Sequence, residues 1–172
     1  MKLPTFEDFI DDLGNPPRGP TLDEDMAWNN FGGLTTEEAF KRFVGNPEFY
    51  QEDFMFMGGS AFAFYFPVID RYIREVESKN EFADETWIIA HCIITHIPDS
   101  SAKYSDKIFT PLSDDPASVT KTYERIIDLC RFVIEGVKNI DASNEMMRTW
   151  PSDKVEEAWT ELLEKTLSAF DR

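Results

Sequence analysis

The stretch that leaves this chain the fewest choices begins at Gly58-Gly59-Ser60 and runs from Ala61 to Val76. Phe62, Tyr65, Phe66, Ile69, Tyr72, Ile73 and Val76 recur every three or four residues, the spacing of one helix face. The first two turns are apolar almost all round, so that end belongs inside the molecule. Asp70, Arg71, Arg74 and Glu75 bring the other end to the surface. Pro67 falls within the pattern. It removes a backbone donor and crowds the carbonyl of Ala63, which predicts a kink rather than a stop.

Other helices can be placed around this one. Thr35 with Glu38 forms a capping box and Gly45 a natural stop, so 36–44 reads as a short helix burying Ala39, Phe40, Phe43 and Val44. Asn46-Pro47 restarts the chain as cap and first turn, and that helix is expected to continue through Phe54 toward Met57. Residues 83–97 are rich in β-branched side chains, yet their acidic opening and length favour a buried helix ended by Pro98. Asp115-Pro116 opens the clearest amphipathic stripe, from Val119 through Tyr123, Ile126, Cys130 and Val133 to Val137. A last helix starts near Pro151 and buries Val155, Trp159, Leu162, Leu163 and Phe170. Residues 98–115 and 138–150 read as connectors, the second with short helical structure near Met146-Met147. With no confident pair of strands, the expectation is all-α: one domain over 1–172, an orthogonal helical bundle around a kinked aromatic-rich central helix.

Residues 1–34 are expected to be an irregular acidic arm docked on that body. Pro4, Gly14, Pro16, Pro17, Gly19, Pro20, Gly32 and Gly33 interrupt it. Glu7, Asp8, Asp11 and Asp12 flank Phe6, Phe9, Ile10 and Leu13, a pattern for a short amphipathic helix. Asp23-Glu24-Asp25 after Thr21 suits the first turn of another, where carboxylates complement the helix dipole. Trp28, Phe31 and Leu34 would tie the arm down.

The charge balance is strongly acidic: 17 Lys and Arg against 33 Asp and Glu, a formal net charge of −16. Long-range repulsion disfavours nucleic acid and anionic membrane and favours a basic protein partner, although the same excess can serve solubility alone. Cys92 and Cys130 lie in apolar helical patterns and read as buried free thiols, with no disulfide framework. The first residues carry no apolar signal core and no run reaches the ~20 residues of a membrane span, so the expected location is cytoplasmic.

Few residues are candidates for chemistry. His91 and His96 are five apart, roughly 140° around a helix, and cannot hold one metal from a straight helix. Cys92 and His96 share a face but lack the spacing of a closed zinc site. Asp84 and His91 share another face without an identifiable nucleophile beside them. Gly58-Gly59-Ser60 can present backbone N–H groups to an anion, but Glu52 and Asp53 nearby oppose phosphate and no lysine completes a P-loop. No metal or cofactor is expected, and cap geometry and core packing account for these features.

Phe54-Met55, Ala61-Phe62 and Tyr65-Phe66-Pro67, in that order and spacing, resemble a motif of small bacterial proteins. The similarity spans about residues 30–77 and includes the short acidic helices before the motif and the amphipathic helix after it. Here Phe66 stands where leucine is usual, and the glycine pair is inserted. The resemblance implies an immunity-type partner of a toxin delivered by contact-dependent or type VI secretion. Its matching positions are core positions, so it implies no site residue. The resulting expectation is a protein that neutralises a toxin by occluding its active site. Asp8, Asp11, Asp12, Asp23, Glu24 and Asp25 would face the basic partner, with Trp28 as anchor. The alternatives are an adaptor or scaffold, or an enzyme centred on Asp84, His91 and His96.

Overall fold

The computed structural model describes residues 2–10, 19–82, 84–98, 116–139 and 152–170. Within these the architecture is all-α, with no strand. The helices are α1 (Leu22–Phe31), α2 (Thr36–Gly45), α3 (Pro47–Tyr50), α4 (Asp53–Phe56), α5 (Gly59–Glu75), α6 (Asp84–Ile94), α7 (Pro116–Lys138) and α8 (Ser152–Phe170). Short 3-10 turns cover Phe6–Phe9 and Glu77–Lys79. Of the connectors expected at 98–115 and 138–150, residues 99–115 and 140–150 lie outside the described residues, as do Asp11 and Asp12, while Lys138 belongs to α7. No helix among the described residues is long and apolar enough to cross a membrane.

The central helix forms as its periodicity requires and continues through Pro67. Phe62, Tyr65, Phe66, Ile69, Tyr72 and Ile73 are all buried. α2 and the N-terminal 3-10 turn pack on α5, as does α7; α7 and α6 in turn pack on α8. An aromatic path crosses these contacts. Trp28 meets Phe9 edge-on, Phe9 leans on Tyr65, Tyr65 on Phe31, and Phe31 on Phe54. Phe43 then joins Phe54 to Tyr72.

Several polar groups that this core buries are paired across elements, which offsets their desolvation. The Tyr65 hydroxyl lies 2.6 Å from the carbonyl of Phe31 and 2.8 Å from that of Leu34, fixing the end of α1 to the central helix. Burial pushes its phenol up to about 12. Buried Glu77 accepts from the hydroxyls of Tyr72 (2.8 Å) and Thr86 (3.0 Å), while Trp159 donates to the Thr86 carbonyl. These bonds join α5, α6 and α8.

Two expected boundaries differ. The helix expected from Pro47 toward Met57 is divided at Gln51-Glu52, because Phe54 and Met55 donate three residues back, to Gln51 and Glu52, and tighten the winding. Asn46 makes no side-chain cap. α6 ends at Ile94 rather than near 97: His96 and Ile97 also bond three residues back, and the Thr95 hydroxyl donates to the Cys92 carbonyl. Within the stretch 1–34, the short helix expected after Thr21 is present as α1.

Candidate partner-binding face

Helix α1 starts where Thr21 and Glu24 form a capping box. The Glu24 N–H donates to Thr21 Oγ1, and the Glu24 carboxylate accepts from the Thr21 N–H at 2.6 Å. That reciprocal cap fixes where the helix starts, while the burial of Ala27 and Phe31 in the core sets how it is rotated. Glu24, Ala27 and Phe31 face inward, and Glu24 is only 3% exposed. The outward side therefore carries Leu22, Asp23, Met26 and Asn29, with Asp25 half-buried beside them. Leu22 is 77% exposed and Met26 43%. The usual amphipathic arrangement is inverted at these positions: a carboxylate is inside and two large apolar side chains are in water.

The residues expected to form the interface are thus sorted by the fold. Asp23 remains fully available and Asp25 partly so. Asp8 is half-buried and caps the 3-10 turn, its carboxylate accepting from the N–H and hydroxyl of Thr5. Glu24 is not presented outward, because its carboxylate is held in the cap. Trp28 is half-buried and turned to its own molecule, edge-on to Phe6 at 5.6 Å and to Phe9 at 5.3 Å. It anchors the N-terminal segment to α1. Asp11 and Asp12 lie outside the described residues. Leu22 and Met26 were not singled out from sequence, since two apolar residues four apart carry no sign of which way they face; only the packing of Ala27 and Phe31 turns them outward.

The histidines are kept apart. His96 lies beyond the end of α6, fully buried, with its imidazole stacked 3.8 Å from Phe62 and Nε2 donating to the Phe54 carbonyl at 2.6 Å. That bond assigns the proton to Nε2. His91 is half-buried and edge-on to Trp87. Asp84 opens α6, but its side chain is outside the described residues. Cys92 and Cys130 are free and buried; burial pushes the Cys92 thiol up to about 12 and the Cys130 thiol higher still, which removes thiolate reactivity at neutral pH. Among the described residues no three His, Cys, Asp or Glu side chains converge as metal ligands.

At Gly58 the anion-site alternative meets the N-terminal segment. The Gly58 N–H donates to the Phe9 carbonyl at 2.9 Å, so this N–H already has a backbone acceptor. Along α8, Asp153, Glu156, Glu157, Glu161 and Glu164 line an open depression, and Glu156 and Glu161 are paired with Lys138 and Lys165. Comparison with protein-family models, curated proteins and solved structures finds no match.

Proposed function

We propose that this chain is a cytoplasmic immunity-type protein that binds a basic bacterial toxin stoichiometrically, occludes its active site and turns over no substrate itself. The observation that carries the reading is the outward side of α1, where exposed Leu22 and Met26 stand beside Asp23 and Asp25. Apolar side chains rimmed by one sign of charge suit a protein interface: burial gives affinity, and the rim gives steering and selectivity. Covering Leu22 and Met26 would contribute about 1–2 kcal/mol each. The net charge of −16 adds long-range attraction for a basic cleft and repels the phosphates of nucleic acid.

The test uses a toxin encoded beside the gene. Asp23→Lys with Asp25→Lys should slow association and abolish protection in cells, whereas Leu22→Ser with Met26→Ser should chiefly speed dissociation. Glu24 is left intact so that the helix start survives. Association of the unmodified protein should slow with salt as the screening length falls from ~10 Å at 0.1 M to ~3 Å at 1 M. Full protection and unchanged rates in both double variants would overturn the reading. Binding without neutralisation would favour an adaptor.

A further inference from the structure

Phe49 is the most exposed aromatic side chain among the described residues, at 58%. It is not loose. Its ring meets Tyr50 edge-on at 4.9 Å, and Tyr50 meets the buried Phe31 edge-on at 5.7 Å. An aromatic ring held from behind by the core while facing water is preorganised for contact, with little ordering entropy left to lose. Glu48 and Glu52, both exposed, flank it. Gln51 and Glu52 keep right-handed helical backbone, so Glu52 falls on the same side as Phe49, three residues back.

Elsewhere the molecule fills a related arrangement twice. The Arg71 guanidinium lies 3.8 Å from the ring centre of Phe40 while pairing with Glu37 at 2.8 Å and Glu75 at 3.0 Å. The Arg74 guanidinium lies 4.6 Å from the ring centre of Phe132 while pairing with Asp70 and Asp128, each at 2.7 Å. In both, a phenylalanine and a carboxylate three or four residues away share one helix, and the arginine reaches over from another. Phe49 with Glu52 has the phenylalanine and the carboxylate, here with the carboxylate three residues after the ring and just past the end of α3 rather than before the ring on its own helix. Among the described residues no cation lies over Phe49, and neither Glu48 nor Glu52 has an ion-pair partner.

We propose that Phe49, Glu48 and Glu52 form a receptor for an arginine side chain of a protein partner. The guanidinium plane lies on the ring, and its N–H groups donate to the carboxylates. Lysine fits less well, because it is a compact, strongly hydrated charge without the planar fork. This deepens the reading of the chain as a binder of basic proteins, on which it rests, by naming the partner's side chain.

The experiment titrates the full chain with hexa-arginine and hexalysine peptides at 0.1 M salt, following side-chain resonances by NMR. The Phe49 ring and the Glu48 and Glu52 carboxyls should shift, with arginine preferred about two- to fivefold. Phe49→Leu keeps the charge and should bring that preference to about one. Glu48→Gln with Glu52→Gln should weaken both peptides alike. Circular dichroism checks that each variant folds. A preference that survives in Phe49→Leu, or shifts that map away from Phe49, overturns the proposal, as does self-association seated on Phe49, which would make a second copy the occupant. Because no toxin enters the readout, an arginine-selective Phe49 site in a chain that neutralises nothing upholds this receptor and removes only the immunity reading. A protective chain without arginine selectivity does the reverse.

Discussion

Asp53 shows how a single buried carboxyl couples packing to pH. It opens α4 at 8% exposure and accepts a hydrogen bond from Asn30 Nδ2 at 2.8 Å. Burial pushes its carboxyl up to about 6; the Asn30 bond opposes the rise and neighbouring Glu52 adds to it. The folded state therefore holds the proton more tightly than the unfolded chain, whose ordinary value is 3.8. The sign follows: this carboxyl's contribution to stability is complete below about 3.8 and is lost as pH rises through about 6. Asp53→Asn keeps an acceptor for Asn30 and has no charge to bury. It should stabilise the protein by about 1–2 kcal/mol at pH 7, after allowance for residual solvent contact, and the gain should shrink steadily toward pH 4. Urea midpoints across that range test this, and a gain independent of pH would remove the electrostatic explanation. Little of this environment was readable from sequence, where Glu52 and Asp53 counted only against a phosphate at Gly58. The Asn30 partner lies 23 residues away, and only tertiary contact brings it near.

Among the elements, those governed by local rules were legible and those governed by contact were not. Periodicity gave α5 and α7, and the Thr35–Glu38 capping box gave the start of α2. The rotation of α1 escaped, because the same capping box is buried at Glu24 and exposed at Glu38, and only tertiary packing tells the two apart. So did the purpose of Gly58, which the sequence reading assigned to cap geometry. Its φ of −60° suits any residue, so conformational freedom is not the reason for glycine there. Close approach is. A Cβ at this position would stand 2.6 Å from the Asp8 carbonyl oxygen and 3.0 Å from the Phe9 carbonyl carbon. Both are backbone atoms, which cannot turn aside as a flexible side chain can. Gly58→Ala should therefore lift the N-terminal segment, break its bond to Phe9 and draw that buried ring from the core, at a cost of about 1–3 kcal/mol. Hydrogen exchange should show the loss of protection concentrated at the Gly58 amide. If that amide and the melting temperature stay unchanged, the segment has adjusted without strain and the tight approach is not a constraint.

At the scale of the whole molecule, the acidic excess on which the proposed basic-partner reading draws works against the isolated fold. Lys and Arg number 17 against 33 Asp and Glu, so carboxylates remain in excess even if every cation is paired. The ion pairs that do form are organised: Arg71 joins α5 to α2 through Glu37, and Arg74 joins α5 to α7 through Asp128. Each is partly exposed and contributes modestly, while the net charge of −16 repels itself across the entire surface. Screening weakens both effects, but the unbalanced repulsion is the longer-ranged and is reduced first. The melting temperature of the free protein should thus rise between 0.01 M and 0.5 M sodium chloride. The partner complex should respond in the opposite direction, since its steering attraction is screened over the same range. The pair of measurements separates a charge that serves binding from one that serves only solubility. A free-protein melting temperature that falls with salt would show that the paired arginines outweigh the excess carboxylates. A complex insensitive to salt would place the interface away from the acidic faces altogether.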